Sequence, residues 1–178
     1  IDDNSCLSGI LNVPEEFSTI QSAIDYADEV DTVLVSPGIY YENINFNGKN
    51  IVVMGEDKET TIINGGNSDS VVIFNNEENS FATLSNFTIT NGNGYAGGGI
   101  SIGVNNPSSP TIENNIITGN YAQWGGGIYA EYSNSKFYNN IISFNEADNF
   151  GGGIYSDDDG SREIINCVIF GNTAGNSG

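Results

Sequence analysis

The sequence predicts a right-handed parallel β-helix, an all-β solenoid in which each coil of the chain stacks on the coil before it. Three landmarks recur in the same order in three successive units, and this internal repeat is the main reason for the prediction. The first landmark is Gly-Gly-Gly followed by Ile, the second is Asn-Asn-Ile-Ile or a close variant, and the third is Asn followed two residues later by Ala. Landmarks that keep their order at a nearly constant spacing indicate stacked structural repeats.

The glycine landmarks set the length of a coil. They begin at Gly97, Gly125 and Gly151, which are 28 and 26 residues apart. Short alternating apolar runs such as Ile128–Ala130 and Ile154–Ser156 are bounded by Gly and Asn, which is typical of strands. No unit has room for a helix of ordinary length, which excludes helical repeats and β-α-β units. We therefore expect two or three strands per coil, with neighbouring coils about 4.8 Å apart.

The N-terminal part, residues 1–31, is predicted to cap the solenoid. Residues 17–29 have the pattern of the only helix in the chain, and Ser18 is its candidate N-cap. The apolar stripe of this helix consists of Ile20, Ala23, Ile24 and Ala27. A helix placed over the first coil would shield the exposed strand edge from other chains.

Residues 32–96 are predicted to form irregular coils and residues 97–178 the regular ones, so that the chain 1–178 is one domain. Three early apolar runs look like successive rungs that lead to a rung at Ile100; they are Thr32–Val35, Ile51–Met54 and Val71–Phe74. The last residues resemble the start of another coil, and a solenoid needs a polar end. We therefore expect that the chain is cut from a longer protein or self-associates through its uncapped C-terminal end.

Asparagine recurs at fixed places in each unit, and we expect its role to be structural. At tight bends it tolerates the left-handed backbone conformation, and its amide can bond to the asparagine one coil away. The recurring positions include Asn114, Asn139 and Asn166 in the second landmark and Asn120, Asn145 and Asn172 in the third. Cys167 replaces the second asparagine of its landmark and is expected to be buried, too far from Cys6 for a disulfide.

The composition restricts the partners of the chain. The 178 residues include 23 acidic residues, 4 basic residues and no His, which gives a formal net charge of −19. Phosphate binding needs clustered cationic side chains, so we expect no nucleic acid partner. No apolar run is long enough to span a bilayer, so we expect no membrane insertion. The negative charge fits a secreted or cell-surface protein. Its main role would be to keep the protein solvated, and the alternative is that the acidic residues bind hard cations such as Ca²⁺.

The first part of the chain resembles the opening of pectin methylesterases and pectate-lyase-like proteins. The resemblance extends to about residue 65 and lies in Phe17–Ile24, Thr32–Val35, Pro37–Tyr40, Glu42–Ile44, Lys49–Gly55 and Thr60–Ile63. It implies the β-helix fold. The Asp pair, Gln-rich segment and Arg of pectin methylesterases have no matching stretch in this chain, and the few basic residues are poorly placed for the base of a pectate or alginate lyase. The resemblance therefore implies the fold without the activity.

From Gly97 onward the chain is similar to the Gly-Gly-Ala-Ile and Phe-x-x-Asn repeats of polymorphic outer-membrane adhesins. The best partial copies are Gly125–Ile128 and Ser143–Asn145. Gly stands in place of Ala in the first motif, and the second motif is incomplete. This resemblance implies a surface-exposed repeat protein of the adhesin type.

Four aromatic residues are the candidate ligand-binding residues. Alignment on the glycine landmark stacks Tyr129 with Tyr155 and brings Trp124, the only Trp, next to Phe150. Outward rings repeated at the coil spacing form a platform that suits sugar rings or another protein surface. The alternative is that these rings pack over one another only to shield the sheet.

Four carboxylates are the candidate metal ligands. The same alignment stacks Glu131 on Asp157, and Asp158 and Asp159 follow at the bend. Adjacent like charges repel, so either one carboxyl pKa rises or a cation lies between them. Clustered carboxylates are plausible Ca²⁺ ligands, whereas the alternative is an ordinary solvated acidic turn.

Alignment on the second landmark places Lys136 one coil beneath Glu163, which predicts a cross-strand ion pair. If Arg162 stacks there instead, two cations lie side by side and favour an anionic ligand.

These patterns favour a non-catalytic secreted or cell-surface module, serving as an adhesin or a glycan-binding scaffold, with a polysaccharide or a surface protein as its partner. The alternative is the N-terminal part of a polysaccharide lyase or carbohydrate esterase that acts on acidic polysaccharide. We assign no catalytic residue.

Overall fold

The computed structural model describes residues 8–157 and 160–176. Within these ranges the chain is an all-β parallel solenoid of about six turns, which confirms the predicted fold class. Cys6, Asp158 and Asp159 lie outside the described residues, so the predictions about them stay predictions. The right-handed sense of the coil stays a prediction as well.

The elements follow one another in a regular order. They are β1 (Ile10–Val13), α1 (Ile20–Tyr26), β2 (Thr32–Val35), β3 (Gly38–Tyr41), β4 (Ile44–Asn45), β5 (Val52–Gly55), β6 (Thr61–Asn64), β7 (Val72–Phe74), β8 (Thr83–Ser85), β9 (Thr88–Thr90), β10 (Asn93–Ala96), β11 (Ile100–Ile102), β12 (Thr111–Glu113), β13 (Ile116–Thr118), β14 (Tyr121–Trp124), β15 (Ile128–Glu131), β16 (Lys136–Tyr138), β17 (Ile141–Ser143), β18 (Glu146–Phe150), β19 (Ile154–Asp157), β20 (Glu163–Ile165), β21 (Val168–Phe170) and β22 (Thr173–Ala174).

The strands form four sheets, and all of their pairings are between strands of successive coils and parallel. Sheet A has the order β1-β2-β5-β8-β12-β16-β20, and sheet B has the order β3-β6-β9-β13-β17-β21. Sheet C has the order β4-β7-β11-β15-β19, and sheet D has the order β10-β14-β18-β22. The coils β2–β4 and β5–β7 contribute three strands each, but the next three coils, from β8 to β19, contribute four. The prediction of two or three strands per coil was therefore too low for these coils, because the strands of sheet D carry little apolar pattern.

The early rungs were only partly assigned to the correct sheet. Thr32–Val35 and Val52–Gly55 pair with each other, but both belong to sheet A. Val72–Phe74 lies in sheet C, where it is the direct neighbour of the rung at Ile100. All three runs are equally apolar, and no glycine landmark marks the early coils, so hydrophobicity alone could not separate the two sheets.

The core is built from columns of alternate residues that point into the solenoid. Ile112 and Phe137 are Cα partners in sheet A. Ile117 and Ile142 are Cα partners in sheet B, and all four side chains are fully buried. Burial of an Ile or Phe side chain contributes about 1.5–3 kcal/mol relative to leaving it exposed. The stacking of like apolar residues predicted from the repeat is thus the source of the core.

The helix α1 is shorter than predicted and begins differently. Thr19, not Ser18, is the N-cap, and its side chain accepts a hydrogen bond from the backbone N–H of Ser22. The Glu42 carboxylate accepts the first two helical N–H groups, and the Lys49 ammonium donates to three carbonyl oxygens at the other end. Both side chains match the helix dipole. The helix packs against β1, β2 and β4; its role as a cap stays a prediction.

The last coil exposes residues that are core residues elsewhere. Ile164 is the Cα partner of Phe137 and is 49% exposed, and Ile169 is the partner of Ile142 and is 48% exposed. Ile165, Val168 and Phe170 are also about half exposed. In the part of the chain that the structure describes, no further coil covers these apolar side chains.

Candidate functional site

The glycine triplets turn the chain from sheet D into sheet C and fix the residues on either side of the turn. Gly125 has a φ of +66°, a region that favours glycine. A Cβ on Gly126 would lie 2.3 Å from the carbonyl oxygen of Glu146 on the next coil. The turn therefore has no room for a side chain, and it holds Trp124, which ends β14, close to Tyr129 in β15.

The four predicted aromatic residues come together in one cluster. The ring centroids of Trp124 and Phe150 are 5.4 Å apart with an interplanar angle of 27°, and those of Tyr129 and Tyr155 are 5.5 Å apart at 15°. Both predicted stacks are therefore present. Trp124 also meets Tyr155 edge to face, with centroids 5.3 Å apart at 63°. This contact joins the two stacks across the glycine turn, which the sequence alignment did not predict.

The cluster borders an open groove of about 200 Å³ rather than the flat platform that we expected. We call it the aromatic groove; it is lined by Tyr95, Ala96, Trp124, Tyr129, Tyr155 and Asp157. The groove lies where the glycine turns join sheet D to sheet C. Tyr129 is only 9% exposed and forms the floor, whereas Tyr95 is 69% exposed.

Tyr95 is a site residue that the sequence analysis missed. It lies on β10, two residues before Gly97, and its neighbour Ala96 is the Cα partner of Trp124. Extending the glycine alignment to the first triplet would have placed Tyr95 beside the aromatic column. Its position one residue away from that column concealed it.

Carboxylates lie at one side of the aromatic groove. Glu131 and Asp157 are Cα partners, as predicted, and the hydroxyl of Tyr155 donates to an Asp157 carboxylate oxygen at 3.4 Å. The pKa of Tyr129 is raised well above its usual range because burial disfavours the phenolate and the charges of Glu131 and Asp157 repel it. Tyr129 is therefore a neutral hydroxyl at physiological pH.

The predicted Ca²⁺ ligands are only partly described. Glu131 and Asp157 are neighbours, while Asp158 and Asp159 fall in the gap between residues 157 and 160. Among the described residues, no group of three or more His, Cys, Asp or Glu side chains could hold a metal ion. Calcium binding at this turn stays a prediction.

The predicted register of Lys136 and Glu163 is confirmed, but the two described residues form no salt bridge. They are Cα partners, yet the Glu163 carboxylate accepts a hydrogen bond from the hydroxyl of Tyr138. The alternative, with Arg162 stacked beside Lys136, is wrong. The Arg162 guanidinium donates to the backbone carbonyl oxygens of Gly160, Ala130 and Asp157.

No protein-family model matches the chain, and no curated protein is similar enough to count as a match. Between residues 8 and 176, apart from 158 and 159, the structure contains no helix that is both long and apolar enough to cross a bilayer. The fold and the aromatic groove are therefore the basis for assigning a function.

Proposed function

We propose that this chain is a non-catalytic module of a secreted or cell-surface protein and that it binds carbohydrate in the aromatic groove. The observation that carries the proposal is the joined cluster of Trp124, Tyr129, Phe150 and Tyr155 at a concave surface. Aromatic faces suit the apolar faces of sugar rings, and nearby hydroxyl and carboxylate groups suit sugar hydroxyls. The groove supplies both kinds of contact.

The exposure of the rings supports binding over mere shielding of the sheet. Trp124, Phe150 and Tyr155 are only half-buried although each stacks on another ring, and Tyr95 stands out into solvent. Rings that serve only as a cover would be expected to bury one another more completely. A partly exposed aromatic cluster in a concavity is a common feature of binding sites.

The resemblances to pectate-lyase-like proteins and to outer-membrane adhesins support an extracellular, adhesin-like setting for this module. Within the same proposal, α1 caps a right-handed solenoid at one end. The observations that favour a lyase or esterase are fewer, since Arg162 is held by backbone carbonyl oxygens and Lys136 lies on sheet A, away from the aromatic groove.

Trp124→Ala tests the proposal. We expect the wild-type protein to bind oligosaccharides on an array of neutral, acidic and amino sugars, and to bind the best of them in isothermal titration calorimetry without cleaving it. Trp124→Ala should weaken that binding at least tenfold, because truncating a central aromatic contact costs about 2 kcal/mol or more.

Phe144→Ala is the matched control for that experiment. Phe144 is an aromatic residue that is 63% exposed and meets Phe170 edge to face. It follows β17 of sheet B directly and lies away from the aromatic groove. Its truncation should leave the affinity unchanged. An array that stays blank, or equal affinities for the wild type and Trp124→Ala, would contradict the proposed function.

A further inference from the structure

A second recess adjoins the aromatic groove, and the line through the two recesses has a defined direction. The two recesses share Tyr95 and Ala96, and the second one is further lined by Asp69, Ser70, Ile73, Asn75, Ser101 and Val104. In sheet C, the residues Ile73, Ser101, Tyr129 and Tyr155 are Cα partners in successive coils. The two recesses together, which we call the long groove, therefore run parallel to the solenoid axis. The groove crosses three coil spacings, about 14 Å in all.

Small residues keep the long groove open next to the rings. Ala96 stands in the column of Trp124 and Phe150, and Ser101 stands in the column of Tyr129 and Tyr155. The two ring stacks therefore end at the coil of Ala96 and Ser101. One coil further, sheet C continues with Ile73, the Cα partner of Ser101. A flat ligand ring can extend the stack there, and a linear oligomer can continue along the groove.

The long groove carries negative charge at both ends. Asp69 lines the second recess, Asp157 lines the aromatic groove, and Glu131 is the Cα partner of Asp157. The Arg162 cation also lies at this end, where its guanidinium donates to the backbone carbonyl oxygens of Ala130 and Asp157. The whole chain has a formal charge of −19. Aromatic faces together with carboxylates attract organic cations, and the surrounding negative field repels anions.

We infer that the long groove binds a linear polymer of amino sugars in its protonated form, with the polymer lying along the solenoid axis. This inference rests on the proposed function and adds the charge of the ligand and its direction. The rings of the polymer stack on Trp124 and Tyr155, and its ammonium groups lie near Asp157 at one end and Asp69 at the other. An acidic polysaccharide would bring its carboxylates against these same side chains.

Three hexasaccharides of equal length separate the contributions of shape and charge. The probes are a β-1,4-linked glucosamine hexamer, its fully N-acetylated form and the neutral glucose hexamer, titrated calorimetrically at mildly acidic pH and low salt. We expect the glucosamine hexamer to bind at least tenfold more tightly than the other two. About 0.5 M NaCl should reduce this preference, because salt screens exposed charges.

Asp157→Asn tests the charge without changing the shape of the groove. We expect it to lower the affinity for the glucosamine hexamer at least threefold more than it lowers the affinity for the acetylated hexamer. Glu59→Gln removes one charge from an exposed residue far from the groove and should change neither affinity. If the acetylated or the neutral hexamer binds as well as the glucosamine hexamer, the inference fails and the proposed function stands. If no oligosaccharide binds, both fail.

Discussion

Two asparagines stand side by side where sheet A turns into sheet B, and they differ in backbone conformation and in burial. Asn114 and Asn139 have φ values of +54° and +56°, the left-handed region that asparagine tolerates. Asn115 and Asn140 are buried, and the Asn115 N–H donates to the Asn140 side-chain oxygen at 2.9 Å. In these two landmarks the first asparagine takes the left-handed conformation and the second makes the buried hydrogen bonds. The third copy has Cys167 at the second position.

A second buried asparagine ladder follows sheet B and continues to the last coil. The Asn145 side-chain oxygen accepts the backbone N–H and the amide of Asn120, and its amide donates to the carbonyl oxygen of Ile117. The Asn145 N–H and amide in turn donate to Asn172. Because Asn145 is almost completely buried, water cannot replace any of these bonds.

We expect Asn145→Ala to lower the free energy of unfolding by about 2–4 kcal/mol, since it removes the acceptor of the buried Asn120 N–H and a donor to the carbonyl oxygen of Ile117. Urea unfolding followed by circular dichroism measures the change. Asn139→Gly is the control, because glycine adopts the same φ of +56° and the Asn139 side chain is exposed. It should cost only a few tenths of a kcal/mol. Equal losses in the two variants would disprove the division of roles.

At the scale of the element, the glycine turn connects sheet D to sheet C in a space that leaves no room for a side chain. Gly126 and Gly127 have carbonyl oxygens of the next coil within 2.5 Å of where a Cβ would be. Their N–H groups donate to Gly151 and Gly152 of that coil, so the turns themselves form a hydrogen-bonded ladder. The close approach of backbones in this ladder explains why the triplet recurs.

Gly126→Ala should destabilise the protein by about 3 kcal/mol or more, because the new methyl group overlaps the carbonyl oxygen of Glu146. It should also shift the fluorescence of Trp124, the only Trp, since the turn holds that residue against Tyr155. Gly38→Ala is the control: its Cβ would approach only the ring of Tyr40, at 3.3 Å. Unfolding curves that coincide for Gly126→Ala and wild type would refute the steric argument.

The elements also show which features a sequence can predict. The stacks Trp124–Phe150 and Tyr129–Tyr155 were predictable because no insertion separates either pair from its glycine triplet. The contact between Trp124 and Tyr155 was not, since it depends on the angle at which two sheets meet. The groove likewise depends on the small residues Ala96 and Ser101, whose significance appears only when their coil is placed under the aromatic one.

At the scale of the molecule, the chain carries a large excess of negative charge on closely stacked coils. Neighbouring coils are about 4.8 Å apart, so acidic residues at the same position in two coils repel each other. Glu131 and Asp157 form such a pair, and the described part of the chain offers only the side chains of Lys49, Lys58, Lys136 and Arg162 as countercharges. With a net charge of −19, the folded state must be destabilised by self-repulsion at low ionic strength.

The melting temperature should therefore rise with NaCl concentration, most steeply below about 0.1 M, where the Debye length is longer than about 10 Å. A gain of 1 kcal/mol corresponds to about 2–4 °C for a chain of this size. Differential scanning calorimetry in NaCl, MgCl₂ and CaCl₂ at matched ionic strength separates screening from binding. If the salts act only by screening charge, the melting temperature rises equally in NaCl, MgCl₂ and CaCl₂. An additional rise in CaCl₂ that Asp157→Asn abolishes would place calcium at the acidic turn beside the aromatic groove. A melting temperature that falls with NaCl would show that repulsion between acidic residues does not limit stability.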